Sequence, residues 1–221
     1  MLGPPPADVA ARVHALQLLA ALAAHAAPRL VAAVLASPGA LDAVLACTGD
    51  GHPAVAGEAR GVLLALARAS PDVQKIAAYN GAFDKLLGDV RAAGGVGGGV
   101  AVQDALELAA ALTAGNAATR TLLLEGGHVP ALVPLLASDS GRKPSPQRSA
   151  NAGAALDLVG ALVARGPAAD GAAAAARSAC QEALLQQGAL SSLLGLCLDN
   201  GGFQDDGVRV KVRGQGEEGW R

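Results

Sequence analysis

Four histidines and three cysteines are the side chains of this chain best suited to hold a metal ion. His14 and His25 are eleven residues apart, which returns them to the same face of a helix. At 1.5 Å per residue they would lie roughly 16 Å apart along the helix axis, too far to share one ion. His52 and His128 fall in separate turns. We therefore predict no metal site.

The other residues with potential chemistry are the cysteines, the acids and a glycine-rich stretch. Cys47, Cys180 and Cys197 lie on Leu- and Ala-rich helical segments, where a small buried residue is the usual role. The stretch at 94–99, GGVGGG, lacks the preceding strand and the following Lys-Ser/Thr of a phosphate-binding loop, so it predicts a flexible surface loop. The acids are dispersed on predicted solvent faces: Asp84, Asp89, Asp104, Glu107 and Asp157. The sequence thus predicts no catalytic residue, no cofactor and no enzyme activity.

A recurring pattern organises the helices that must carry these side chains. A Gly followed by a small residue and then a Leu pair occurs in SPGALDAVL, YNGAFDKLL, EGGHVPALVPLL and QQGALSSLLGLC, with the governing Gly at 39, 81, 127 and 188. Steps of 42, 46 and 61 residues bracket the period of armadillo or HEAT repeats. Three helices per unit favour the armadillo plan. We predict an all-α, armadillo-like right-handed α-solenoid of about four repeats.

Apolar spacing, Pro positions and capping residues set the predicted helix bounds. The predicted lead-in covers residues 1–6, the helical head 7–199 and a disordered tail 200–221. We expect an exposed loop over 138–149 and a Gly/Ala insertion over 166–175. The predicted helices cover residues 7–27, 29–36, 39–47, 53–69, 71–79, 82–91, 100–114, 116–125, 129–137, a segment starting at 150, 177–187 and 189–198.

Composition limits the classes of function. Hydrophobic residues make up 52% of the chain but aromatic residues only 2%, so Ala, Leu and Val must form the core. A net charge of −2 gives no electrostatic reason to expect nucleic acid as a partner. Three widely spaced cysteines favour a reducing compartment. The longest apolar run, residues 18–24, is too short to cross a bilayer, and no secretory signal is visible, so we expect no direct transmembrane insertion.

The segment 74–87, QKIAAYNGAFDKLL, carries the candidate partner-binding residues. Tyr79 and Phe83 lie four apart, and with Ile76 and Leu87 they can line one buried side across the break at residues 80–81. In a chain with few aromatics they are either a packing anchor or a partner's contact, and the adjacent Leu residues favour packing. The charged residues of this segment are predicted to face solvent and are the first candidates for contact with a partner: Lys75, Asp84 and Lys85.

The same region resembles a known family. VLLALARASPDVQKIAAYNGAFDKLL, followed by GGGVAVQDALELAAALTAGNAATRTLLLEGGHVPALVPLL, is similar to the globular head of the general vesicular transport factors, the vesicle-tethering golgins of the endoplasmic reticulum–Golgi route. The resemblance covers roughly residues 8–198. Its most specific parts are Gln74-Lys75-Ile76, Asn80, Ala82-Phe83, Leu86-Leu87, Val102, Asp104, Asn116, Glu125-Gly126, and downstream Ser178, Cys180-Gln181, Gly188 and Leu193.

This resemblance implies an armadillo-like head that acts as a protein interaction scaffold in vesicle docking and fusion. It implies Rab-family GTPases, SNAREs, and golgins or tethering complexes as partners, and a homodimer for the full-length protein. It also implies a cytoplasmic protein, peripheral on Golgi and transport-vesicle membranes. The family continues into further repeats and a coiled-coil rod, which this sequence does not show. The alternative is an unrelated armadillo/HEAT-type adaptor, such as a cargo carrier or a ubiquitin-ligase adaptor.

Overall fold

The computed structural model of the chain describes residues 6–137, 145–164 and 171–198, with side chains from residue 8 to residue 196 within those ranges. The described residues are helical and contain no β-strand, which confirms the predicted all-α class. Apart from Pro6, the predicted lead-in and tail lie outside these ranges. The α-helices are α1 (Pro6–Ala36), α2 (Ala40–Cys47), α3 (Pro53–Ala69), α4 (Pro71–Tyr79), α5 (Ala82–Ala92), α6 (Val100–Thr113), α7 (Ala117–Glu125), α8 (Val129–Leu132), α9 (Pro146–Val163), α10 (Gly171–Gln186) and α11 (Ala189–Leu198).

The recurring glycines mark one backbone conformation. Gly39, Gly81, Gly127 and Gly188 have φ values of 74°, 79°, 69° and 79°, all in the left-handed region. A residue with a Cβ is disfavoured there, so each of these glycines lets the chain leave one helix and start the next. The pattern read from the sequence therefore corresponds to a repeated turn.

The described residues up to Ala82 form the first compact unit. In it α1 packs along α3, and α3 also contacts α2 and α4. Pro53 opens α3 and Pro71 opens α4, while the Ser70 hydroxyl accepts a hydrogen bond from the Val73 amide. The core of the unit consists of small and branched apolar side chains with no exposed area, among them Val55, Ala59, Val62, Leu63 and Leu66.

The range of α1 holds two helical segments, as expected from the sequence. They meet at a kink at Ala26, whose non-helical φ and ψ are −145° and 40°, close to the predicted break at residue 28. By length and composition alone the stretch Asp8–Ala36 could cross a membrane, and 17% of its most apolar window is buried. Core helices of soluble proteins and signal sequences meet the same criteria, so this is weak evidence. The uninterrupted apolar run of residues 18–24 lies inside this stretch, whose many Ala, Val and Leu residues keep the mean hydropathy high beyond the run.

The second compact unit starts at Phe83. Helix α6 packs along α9, and α10 packs against α7, α9 and α11. Leucines of α6 and α9 have no exposed area and form the centre of the unit. The segment after α8 continues as a 3-10 turn, Val133–Leu136, and a second 3-10 turn, Gly95–Gly97, precedes α6.

Two helices of the second unit begin before their predicted starts. Helix α9 starts at Pro146, inside the predicted loop, because the Ser145 hydroxyl accepts a hydrogen bond from the Arg148 amide and caps the helix. Helix α10 starts at Gly171, inside the predicted insertion, because a run of Ala favours helix. The stretch 94–99 is a folded turn around the buried Val96. The other residues of these segments, 138–144 and 166–170, lie outside the described ranges.

Candidate functional site

In the first unit the candidate site consists of the exposed face of α4. The Lys75 ammonium lies 3.7 Å from the Asp72 carboxylate one turn earlier, and both side chains are about half exposed or more. Tyr79 is 71% exposed and Ile76 is 39% exposed. The prediction that Ile76 and Tyr79 are buried is therefore wrong. The break at Gly81 ends the helix, so the four-residue spacing between Tyr79 and Phe83 no longer implies a shared helix face.

In the second unit Phe83 has the packing role that its spacing favoured. It is 2% exposed, and its ring lies 6.2 Å from that of His128 at an angle of 52°. Asp84 is exposed, with its Oδ1 3.6 Å from Nε2 of His128. Lys85 is half buried. Of the five predicted contact residues, then, Phe83 is closed to a partner in this structure.

His128, predicted to lie in a turn, is buried in the second unit. It is only 8% exposed, and a Cβ added at Gly126 would come within 2.7 Å of its ring. The absence of a side chain at Gly126 therefore makes room for the imidazole. In the sequence, Gly126 stands out only as part of the family resemblance.

The geometry does not favour nucleophilic or metal chemistry in the described ranges. Burial raises the pKa of the Cys180 thiol, which keeps it protonated and unreactive. Cys47 is half buried, and its sulfur accepts a hydrogen bond from the Arg12 guanidinium at 3.7 Å. Among the described residues no three His, Cys, Asp or Glu side chains come together as metal ligands would.

Arg120 is a buried charge of the second unit that the sequence did not predict. Arg120 is 2% exposed; its Nε donates to the Thr113 carbonyl at 3.3 Å and its Nη1 to the Ala164 carbonyl at 3.0 Å. Burial lowers the pKa of Arg120. Since α6 ends at Thr113 and Ala164 caps α9, one guanidinium binds the carboxyl-terminal carbonyls of two helices. No local pattern in ATRTLLLE distinguishes this Arg from a surface residue.

Comparison with proteins of known sequence places the chain among transport factors. No protein-family model matches it. It is 30% identical over 156 residues to the intracellular protein transport protein USO1 of Saccharomyces cerevisiae, covering 69% of this chain and 9% of that protein. It is 28% identical over 196 residues to the general vesicular transport factor p115 of Bos taurus, covering 88% of this chain and 20% of that protein. The chain thus spans a fifth or less of these relatives.

Solved structures agree with this placement. The crystal structure of Uso1-1 superposes with a TM-score of 0.82 at 28% identity, covering 95% of this chain and 32% of that one. The crystal structure of Uso1-2 gives a TM-score of 0.81 at the same identity. These matches confirm the all-α solenoid class, and an unrelated adaptor is not favoured. Over most of its length, this chain is therefore a homologue of the Uso1/p115 general vesicular transport factors, similar to part of their head.

Proposed function

We propose that this chain serves as part of the head of a vesicle-tethering factor in endoplasmic reticulum-to-Golgi and intra-Golgi transport. The observation that supports this most is the match to Uso1 over 95% of the chain, in both fold and sequence. In such a head, stacked helices provide a rigid surface for other proteins. The chain therefore acts as an interaction scaffold without enzyme activity.

The proposed partners belong to the vesicle-transport machinery. We include Rab-family GTPases, SNAREs, and golgins or tethering complexes, because the family resemblance implies these classes. The same resemblance supports a homodimer for the full-length protein and a cytoplasmic location on the surface of Golgi and vesicle membranes. Binding of nucleic acid and direct insertion into the membrane form no part of the proposal.

Exposed residues of the candidate site, considered separately in each unit, are the proposed contacts. Tyr79 offers a large amphipathic ring with 71% of its surface exposed, and aromatic residues of this kind are enriched among the contacts that dominate binding energy. Lys75 lies one turn before it on the same helix. Asp84 and Lys85 of the second unit are also proposed contacts, whereas Phe83 supports its own unit from within.

A cell-free transport reaction tests the proposal. Purified chain is added in excess to Golgi membranes and transport vesicles, and vesicle docking is counted. We expect the wild-type chain to compete with the endogenous tether and lower docking, and Tyr79→Ser to compete less well. Leu190→Ser is the matched control, because it removes an apolar side chain that is 49% exposed elsewhere.

The possible results test the tethering function and the proposed contact residues separately. If the wild-type chain leaves docking unchanged at micromolar concentration, the tethering function is contradicted. If the wild-type chain and Tyr79→Ser inhibit equally, the function stands and the proposed surface is wrong. Circular dichroism of each variant verifies that its helices are intact.

A further inference from the structure

The sequence holds three Ser-Pro pairs, at residues 37–38, 70–71 and 145–146. Ser followed by Pro is the substrate pattern of proline-directed protein kinases, whose substrate groove has no acceptor for an amide hydrogen at the second residue, which Pro lacks. Many of these kinases also bind a basic side chain three residues after the Ser. The residues at that position are, in the same order, Ala40, Val73 and Arg148. The third pair alone therefore has the complete pattern, Ser-Pro-Gln-Arg.

Exposure separates the three serines further. Ser37 and Ser145 are exposed, whereas Ser70 is only 7% exposed. The backbone of Ser145 is extended, with φ −131° and ψ 150°, and the following Pro146 is exposed as well. Kinases bind the residue that they modify in an extended segment. Of the three serines, Ser145 is thus the one that is exposed and also precedes a basic residue at the required distance.

We propose that Ser145 is a phosphorylation site for a proline-directed serine/threonine kinase that prefers a basic residue three positions after the Ser. In the reaction, the Ser145 Oγ attacks the γ-phosphorus of ATP and forms a new P–O bond. The bond from that phosphorus to the oxygen shared with the β-phosphate breaks, ADP leaves, and the hydroxyl proton passes to the catalytic aspartate of the kinase. The product carries about two negative charges at Ser145.

The first turn of α9 has to open before the kinase can bind. The Arg148 amide donates to the Ser145 Oγ at 3.2 Å, and the Ser149 amide donates to the Ser145 carbonyl at 3.1 Å. The Arg148 side chain is only 7% exposed in the folded chain. The end of a helix opens at a lower cost than the whole fold, so the site is reached without global unfolding. We therefore expect the whole chain to be phosphorylated more slowly than a peptide of residues 141–152.

Phosphorylation should strengthen the start of α9. Ser145 is the residue that caps this helix, so its phosphate would lie at the positive end of the helix dipole and accept hydrogen bonds from the first amides. The amide hydrogens of Arg148 and Ser149 should consequently exchange about two- to fivefold more slowly after phosphorylation.

Helix α9 is bonded to the glycine-rich turn of residues 94–99. Asn151 has no exposed area, and its Nδ2 donates to the carbonyls of Val96 at 3.1 Å and Gly98 at 2.8 Å. A stronger start of α9 should therefore also slow amide exchange in this turn. Amides of α3, in the first unit, are the internal reference for the exchange measurement.

Phosphorylation of the whole chain in vitro tests the proposal. The purified chain is incubated with ATP and a cyclin-dependent kinase bound to its cyclin, a kinase with this preference, and modified residues are located by mass spectrometry. Phosphate should appear on Ser145 about tenfold or more faster than on Ser37 or Ser70. Casein kinase 2, which prefers acidic residues after the Ser, should leave Ser145 unmodified.

Three variants separate the hydroxyl from its role as a helix cap, and circular dichroism verifies that each is folded. Ser145→Asn is the matched control, because Asn caps a helix as well as Ser does but has no hydroxyl, and it should receive no phosphate at this position. Ser145→Thr keeps a hydroxyl and should remain a substrate. Pro146→Ala restores an amide hydrogen while still favouring helix, and it should slow phosphorylation about tenfold or more.

Three results would overturn the proposal. Absence of phosphate from Ser145 of the whole chain would do so, whether the fold closes the site and only the peptide is modified or the kinase modifies neither. Equal rates at Ser37 and Ser145 would show that the basic residue does not direct the kinase. Unchanged or faster amide exchange at the start of α9 after phosphorylation would refute the predicted strengthening.

This inference goes beyond the proposed tethering function and does not depend on it. The kinase assay uses no membranes and none of the proposed contact residues, whereas the docking assay uses no kinase. Failure of one proposal is therefore distinguishable from failure of the other.

Discussion

Replacing Arg120 with Met should destabilise the second unit more than any exposed Arg replacement does. Met keeps most of the aliphatic stem of Arg and its packing but removes the guanidinium. The carbonyls of Thr113 and Ala164 then lose the donor that joins the end of α6 to the end of α9. The substitution therefore tests whether one side chain fastens two helices that end 50 residues apart in sequence (163−113).

The magnitude follows from the two bonds and the cost of burying the charge. Hydrogen bonds to a charged donor contribute about 1.5–3 kcal/mol each, so the gross loss is about 3–6 kcal/mol. Part of this is recovered, because the buried guanidinium no longer has to be desolvated and the exposed Ala164 carbonyl can bind water. The Thr113 carbonyl belongs to a residue with no exposed area and has less access to water. We expect a net loss of about 2–4 kcal/mol in the free energy of unfolding.

Urea unfolding followed by circular dichroism measures this loss. A loss of that size should move the urea midpoint by about 1 M or more, given slopes of about 1–3 kcal/mol per M. Arg120→Lys should lose less, because Lys keeps the charge but lacks the planar donors that reach two carbonyls. Arg68→Met, at an exposed helix end, should stay within about 0.5 kcal/mol of wild type. If Arg120→Met shifts the midpoint no more than Arg68→Met does, the two bonds do not fasten the helices and the reasoning is refuted.

Three other measurements address the acid, thiol and polar groups. The His52 amide and the Arg12 guanidinium lower the pKa of Asp50 in the folded state, so its stabilisation is complete above the ordinary value of 3.8 and is lost as the pH falls through the lower folded value. The difference in unfolding free energy between wild type and Asp50→Asn should accordingly shrink as the pH is lowered below 3.8. A difference that stays constant with pH would contradict this. Asn151→Ala should cost about 2–3 kcal/mol and speed amide hydrogen exchange across the glycine-rich turn, which unchanged exchange would disprove. Cys180, whose pKa burial raises above 9.0, should resist maleimide at pH 8 until urea unfolds the chain, in a variant whose other two cysteines are Ser.

Local signals in the sequence were sufficient to place most helix ends. Helix α3 and helix α11 have the predicted bounds, Pro53–Ala69 and Ala189–Leu198. Both depend on features within a few residues of the end, namely a Pro in the first turn or a left-handed Gly just before the helix. Such features act within one turn of backbone, so a single sequence displays them completely.

The early start of α9 carried the same kind of signal. Ser145-Pro146 repeats the Ser70-Pro71 pair that was recognised at the start of α4, and in both cases the hydroxyl accepts a hydrogen bond from the amide three residues on. The surrounding basic and polar residues favoured a loop, but a cap and a Pro in the first turn stabilise a helix independently of charge. The capping pair therefore indicates where α9 starts, whereas the composition of the surrounding segment does not.

The candidate site was less predictable, because burial of a side chain is decided by contacts distant in sequence. Tyr79 and Phe83 each lie three or four residues from an apolar neighbour, Ile76 and Leu87 respectively. Nevertheless Tyr79 is 71% exposed and Phe83 only 2%. The difference arises at Gly81, where a left-handed residue ends one helix and starts another. A periodicity argument presumes a continuous helix, so it fails at the residue that breaks it.

Two buried polar residues of the second unit show why composition alone does not predict how the helices of this chain are placed. Alanine-rich helices approach closely but bury little area each, so apolar contact alone specifies poorly how one helix is placed along the next. Asn151 and Arg120 bind backbone carbonyls 53, 55 and 44 residues away, and each such bond can form only at one placement of the two elements. An unpaired buried carbonyl is costly, so these bonds penalise every other placement. The glycine-rich turn, whose composition predicts flexibility, is therefore tied to α9 by an amide that no residue near the turn in sequence indicates.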